Sequence, residues 1–193
     1  MKKQLFVLFL TVSSFSLFAQ SEQTLFHNLG LTGAWGGWSY NANFNNNNYN
    51  SFNGGIWGLE FGKSFLIGGL HYTVPDANTN SNYNLRTNSL YLAYLAQSYK
   101  PVHPIFSMGI GGGTILQDNN TISNSILVLQ PAAGIEINAF RVCHVDLQGG
   151  YRAALTNNNS VFNNTNFSGF YGQINLRLGF SWGHSDSFGA KKW

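Results

Sequence analysis

Phe170 to Trp182, FYGQINLRLGFSW, alternates along its whole length. Its even-numbered positions, Phe170, Gly172, Ile174, Leu176, Leu178, Phe180 and Trp182, are apolar or glycine. The positions between them, Tyr171, Gln173, Asn175, Arg177, Gly179 and Ser181, are mostly polar. A period of two puts the two sets on opposite faces of a strand. Sustained over thirteen residues, it is longer than a strand in a soluble sandwich usually runs. It suits a strand tilted by about 45° across a hydrocarbon layer, which needs about 9 to 11 residues whose side chains face lipid and lumen in turn.

Working outward from this stretch, eight strand-like segments are predicted, at Asn28 to Tyr40, Phe52 to Gly62, Phe65 to Val74, Arg86 to Ser98, Ile105 to Leu116, Ile126 to Ala139, Val142 to Leu155 and Ser168 to Trp182. No segment keeps a helical period, and glycine, costly in a helix, is scattered through all of them. The first, third, fifth and seventh connections are long and rich in Asn: NANFNNNNYNS, PDANTNSNYN, QDNNTISN and TNNNSVFNNTN. The other three are short: Lys63-Ser64, Tyr99 to Pro104 and Phe140-Arg141. Such alternation places the polar loops at one end and the tight turns at the other, the asymmetry of outer-membrane barrels.

The faces of other segments agree. In the seventh, Cys143, Val145, Leu147, Gly149, Tyr151, Ala153 and Leu155 oppose His144, Asp146, Gln148, Gly150 and Arg152. In the sixth, Leu127, Leu129, Pro131, Ala133, Ile135 and Ile137 oppose Val128, Gln130, Ala132, Gly134, Glu136 and Asn138. The second sets Trp57, Leu59 and Phe61 outward against Gly58, Glu60 and Gly62, and the fifth sets Phe106, Met108 and Ile110 opposite Ser107, Gly109 and Gly111. The fourth, LYLAYLAQ, is apolar on both faces and its register is open. Aromatics are expected in two interfacial girdles. Phe61, Phe65, Tyr99, Phe106, Phe140, Phe180 and Trp182 flank the short turns, and Trp35, Trp38, Tyr40, Tyr72, Tyr151 and Phe170 lie toward the long loops.

Composition points the same way. Of 193 residues, charged ones make up 9% and aromatics 16%, against about 25% charged in soluble domains. Residues 1–19 read as a signal peptide, with Lys2 and Lys3, an apolar run from Leu5 to Leu17, and Ala19 at the cleavage point. Residues 20–182 form the barrel, and 183–193, GHSDSFGAKKW, a short periplasmic tail. Lys2 and Lys3 supply two units of the net charge of +3, so the rest is close to neutral and has no basic patch for nucleic acid. Cys143 is the single cysteine, and no disulfide or CxxC metal motif is available.

At this point the chain resembles the small eight-stranded outer-membrane barrels of Gram-negative bacteria, the OmpA transmembrane domain and OmpX-like proteins among them. The resemblance is one of architecture and covers nearly the whole chain after the leader; no family-specific motif carries it. It implies an all-β, transmembrane, antiparallel up-and-down barrel with long extracellular loops and short periplasmic turns. It also implies outer-membrane lipids and lipopolysaccharide around the barrel, and the barrel-assembly machinery during insertion. Members of such families serve as tethers, adhesins, narrow pores or enzymes, so the fold does not choose among these roles. The tail is too short for a peptidoglycan-binding domain, which argues against a tether.

The charges are few enough to place singly. Lys63, Lys100 and Arg141 fall at short turns, while Glu60, Glu136, Asp146, Arg152 and Arg177 fall on the polar strand faces. A basic residue on the lipid face costs about 2 to 4 kcal/mol at the midplane, so these five are read as luminal. Glu60, Glu136, Asp146 and Arg177 are expected at similar depth, with Arg152 higher. An eight-stranded barrel is narrow enough for side chains to fill, and the five are read as a structural, salt-bridged plug in preference to an ion or proton relay. His27, His71, His103, His144 and His184 are scattered without the i, i+2 spacing of a metal site on a strand. No His-x-Ser arrangement of the kind carried by outer-membrane lipid A deacylases occurs on a strand. The glycines Gly109 and Gly111 to Gly113 lack a phosphate-loop context and read as room for luminal packing. Phe52, Tyr49 and Phe162 read as apolar points within neutral loops. The expectation is a monomeric, non-enzymatic outer-membrane surface protein, without cofactor or metal, with Asn-rich loops available to ligands whose identity is open. Its rivals are a narrow pore, a lipid A-modifying enzyme and a soluble secreted ligand-binding barrel.

Overall fold

The computed structural model describes residues 30–45, 48–73, 83–117, 122–156 and 168–182. The segments read as a signal peptide and as a tail, and most of the Asn-rich connections, lie outside the described residues. Eight strands follow one another: β1 (Leu31–Asn45), β2 (Asn48–Phe61), β3 (Phe65–Thr73), β4 (Tyr83–Leu95), β5 (Val102–Gln117), β6 (Ile122–Phe140), β7 (Cys143–Thr156) and β8 (Gly169–Ser181). Each pairs antiparallel with its sequence neighbours, and β8 closes on β1. Cross-strand partners followed from Gly33 run through Glu60, Leu66, Ala93, Ser107, Ala132, Gly150 and Tyr171, and return to β1 at Asn43. That is a displacement of ten residues (43 − 33). With a rise of about 3.3 Å per residue and a strand spacing of about 4.8 Å, it sets a tilt of roughly 40°, so each residue climbs about 2.5 Å along the barrel axis.

Period two decides which side chains go inside. On β8, Tyr171, Gln173, Asn175 and Arg177 are buried in the lumen, while Phe170, Ile174, Leu176, Leu178 and Phe180 are exposed on the outer wall. The same division holds on β6 and β7 as the sequence predicts. On β4 the structure supplies the register that the sequence leaves open: Leu85, Thr87, Ser89, Tyr91, Ala93 and Leu95 point inward, and Leu90 and Tyr94 outward. Two aromatics assigned to girdles are corrected. Trp35 and Tyr72 are buried in the lumen, because each occupies an inward position of its strand and fills space beside glycine or other rings. A Cβ at Gly58 would stand 2.8 Å from Cζ2 of Trp35, so glycine there makes room for the indole. Phe52, read as a loop residue, is also luminal.

The three short turns lie at one end. Between β2 and β3, Gly62 and Lys63 both take left-handed φ, 54° and 57°, and the Ser64 N–H bonds the Phe61 carbonyl at 3.2 Å. Two consecutive left-handed residues make the tight hairpin turn that matches strand twist. The Lys63 N–H also donates to Thr32 Oγ1 at 3.0 Å, tying the turn to β1. At the other end the first Asn-rich connection is shorter than expected. β1 and β2 continue their ladder as far as the pair Asn45 and Asn48, because Asn41 and Asn43 turn inward and extend the alternation into the stretch predicted as loop.

Candidate functional site

Three of the five predicted luminal charges meet. Arg177 on β8 donates through Nε to Asp146 Oδ2 at 2.9 Å and through a terminal nitrogen to Asp146 Oδ1 at 3.1 Å, and that nitrogen also donates to Glu136 on β6. All three are buried; Arg177 is 2% exposed. The guanidinium carbon lies 5.3 Å from the ring of Trp35. Pairing of neighbouring strands brings these residues together: His144 pairs with Arg177 across β7 and β8, and Asp146 pairs with Glu136 across β6 and β7.

Two histidines complete the cluster, and the sequence reading missed their role. His103, at the start of β5, donates from Nδ1 to the Lys100 carbonyl at 3.0 Å and sets Nε2 3.6 Å from Glu136 Oε1. His144 holds Nδ1 2.7 Å from Asn138 Oδ1 and 3.2 Å from Glu136 Oε1. Asn138 is oriented in turn by donating Nδ2 to the carbonyls of Ser98 and Lys100. Only His144 shares a strand face with Asp146, so sequence offers a partial signal for it and none for His103.

The polar network climbs from this cluster. Asn175 Nδ2 donates to Asp146 Oδ2 at 3.2 Å, and Asn175 Oδ1 accepts from Gln173 Nε2 at 2.8 Å and from Ser39 Oγ at 2.6 Å. Ser39 Oγ accepts in turn from the Tyr72 hydroxyl at 2.7 Å. Above it, Arg152 stacks its guanidinium 4.0 Å from the ring centre of Phe52, with Tyr171 and Tyr72 at 5.6 and 6.0 Å. Arg152 therefore stands apart from the carboxylates, and its nitrogens make no hydrogen bond among the described residues. Glu60 also stands apart. It accepts at Oε1 from Thr32 at 3.0 Å and from Ser181 at 2.9 Å, joining β1, β2 and β8 at the short-turn rim. The expected five-membered network is thus a three-membered ion cluster with two separate groups, because Arg152 lies six residues beyond Asp146 on β7 and Glu60 sits on β2 at the rim.

The rest of the lumen is filled. Ile56, Leu66, Leu70, Tyr91, Leu95, Ile105 and Ile115, all buried, line β2 to β5. Ser107 donates to Gln148 Oε1, and Gln148 Nε2 donates to the Tyr91 hydroxyl at 3.4 Å, bridging the apolar and polar walls. Among the described residues no group of three or more His, Cys, Asp or Glu is arranged to hold a metal ion.

The outer wall has two sectors near the long-connection end. Over β7, β8 and β1, Tyr151, Phe170 and Phe44 form a cross-strand row, with Tyr151 and Phe170 in edge contact at 5.2 Å. Over β2 to β5 a second row is Asn53, Thr73, Arg86 and Thr114, and below it lie Gly55, His71, Asn88 and Gly112. His71 Nδ1 is 2.8 Å from Asn88 Oδ1. Allowing for tilt, His71, Asn88 and Arg86 stand about 19, 22 and 27 Å above Gly33, and Tyr151 and Phe170 about 21 and 24 Å.

No protein-family model matches this sequence, and no curated protein matches it. Among solved structures, Neisserial surface protein A (NspA) is similar over 78% of this chain and 96% of its own, with 9% sequence identity and a TM-score of 0.51. Ail, the attachment invasion locus protein of Yersinia pestis, aligns over 80% of this chain and all of its own, with 11% identity and a TM-score of 0.41. The likeness to NspA is one of fold: this chain has the architecture of a small eight-stranded barrel of the kind NspA represents.

Proposed function

We propose that the protein is an integral outer-membrane barrel with a plugged lumen, non-enzymatic, that offers its long-connection end to the outside as an interaction surface. One observation carries the membrane placement: the outer wall is apolar while the interior is polar and charged. Trp57 is 64% exposed and Phe180 75%, and Leu59, Ile67, Leu90, Leu129, Ile174 and Leu178 lie between them around the barrel. Monomeric soluble proteins rarely present apolar patches beyond a few hundred Å². In lipid the same wall is solvated, and closure leaves no strand edge with unpaired backbone groups. The short turns then face the periplasm and the Asn-rich connections the exterior, and lipids and lipopolysaccharide surround the wall.

The plugged lumen supports the non-enzymatic, non-conducting part of the reading. Arg177, Glu136 and Asp146 are buried against one another, and Tyr72, Tyr91, Phe52 and Ile105 close the interior at several levels. Fractionation of the native cells tests the placement: the protein is expected in the outer-membrane fraction, with a gel mobility that shifts on boiling. Recovery in the periplasm without a shift overturns it. In planar bilayers the folded protein is expected to give no discrete conductance steps, and regular steps would establish a pore instead.

A further inference from the structure

The two sectors of the outer wall differ at the same height, and the difference has a chemical direction. An outer-membrane barrel presents an apolar band about 25 Å tall. Phe61 and Phe180, level with Gly33, mark its lower edge. Over β7, β8 and β1 the band reaches full height. Over β3 and β4 polar side chains begin lower, by about 6 Å at His71 and about 3 Å at Asn88. Arg86 stands above them, exposed, at the upper boundary of the band, where a basic side chain costs about 0 to 1 kcal/mol. It is the one cation on the upper outer wall among the described residues. The carboxylates among those residues, Glu60, Glu136 and Asp146, all belong to the interior or the opposite rim. Among the described residues, therefore, Arg86 has no acidic partner on its own wall.

We propose that this sector over β2, β3 and β4 docks the phosphorylated headgroup of an outer-leaflet lipid. This rests on the membrane placement proposed above. A guanidinium matches a phosphate with two parallel charge-assisted hydrogen bonds. With His71 Nδ1 donating to Asn88 Oδ1, the Asn88 amide nitrogen is left to donate toward the headgroup, and Asn53 and Thr73 add polar surface beside Arg86.

The test is lipid retention by the full folded protein in nanodiscs of zwitterionic phosphatidylcholine supplemented with purified lipopolysaccharide, read by native mass spectrometry. The wild type is expected to retain the phosphorylated lipid, R86Q to lose it by about tenfold and R86K to recover part of it. The same preparation with enzymatically dephosphorylated lipid needs no variant and is expected to match R86Q. Equal retention of the two lipids, or retention by R86Q equal to wild type, overturns the proposal. So does a photo-crosslinker at position 88 that captures a second copy of the chain or another protein in place of lipid. Boiling-dependent mobility, followed in the same samples, separates the two readings: its absence in the wild type strikes the membrane placement, and its presence with equal retention strikes only the docking site.

Discussion

The two halves of the barrel wall solve the same geometry with opposite chemistry. From β6 round to β1 the interior is polar, carrying Glu136, Asp146, Gln148, Gln173, Asn175, Arg177, Ser39 and Asn41, and the outer face is apolar to its full height. From β2 to β5 the interior is largely apolar, with Ile56, Leu66, Leu70, Tyr91 and Ile105, and the outer face turns polar near the long connections. The lumen is thus a hydrophobic half-core packed against a hydrogen-bonded half. Arg177, Glu136 and Asp146 lie where each finds a partner, and the apolar half excludes water from them, which strengthens their attraction and raises the cost of losing one partner.

The comparison breaks most visibly at Arg177. R177A leaves Glu136 and Asp146 buried without a cation and is expected to cost about 3 to 5 kcal/mol. At about 2 to 4 °C per kcal/mol that lowers the thermal midpoint by roughly 10 °C, followed by boiling-dependent mobility or circular dichroism in detergent. Replacing the cluster as a unit, with E136Q, D146N and R177M together, is expected to cost less than R177A alone, because no buried charge is left unpaired. An equal or larger loss would mean that the ion pairs themselves carry stability.

The apolar half is tested by deletion inside against deletion outside. I105A empties space in the lumen and is expected to cost about 2 to 4 kcal/mol. I110A, five positions along the same strand on the outer face, leaves a gap that lipid chains fill and is expected to cost about half as much. Equal effects would contradict the division of β5 into faces. Smallest is the rim, where T32V removes one hydrogen bond to Glu60 and the acceptor of the Lys63 N–H. A loss of about 1 kcal/mol is expected, with faster unfolding from the β1–β8 seam in hydrogen exchange.

Legibility followed the same division. On β6, β7 and β8 the two faces differ sharply in polarity, so the inward set, including Glu136, Asp146 and Arg177, could be read directly from sequence. On β4 both faces are apolar, and a period of two without contrast carries no direction. Trp35, Phe52 and Tyr72 were misplaced for a related reason, since an aromatic ring suits an interfacial girdle and a luminal core equally well until its depth and face are known. Arg86 showed no partner pattern in the linear chain, because its significance comes from neighbours on β2, β3 and β5 that are polar at the same level.

By itself the sequence determined what is local or periodic: eight strands in an antiparallel meander, tight turns at Lys63-Ser64 and Phe140-Arg141 that the structure shifts by one residue, and an apolar face on most strands. Only the tertiary structure decided which luminal groups meet. Pairing of β5 to β8 sets His103 opposite Glu136, Glu136 opposite Asp146 and His144 opposite Arg177, so these five converge while Glu60 on β2 and Arg152 higher on β7 do not. The ladder as a whole closes with a displacement of ten residues. That displacement is fixed by the packing of all eight strands around one interior, and no single segment of the chain contains it.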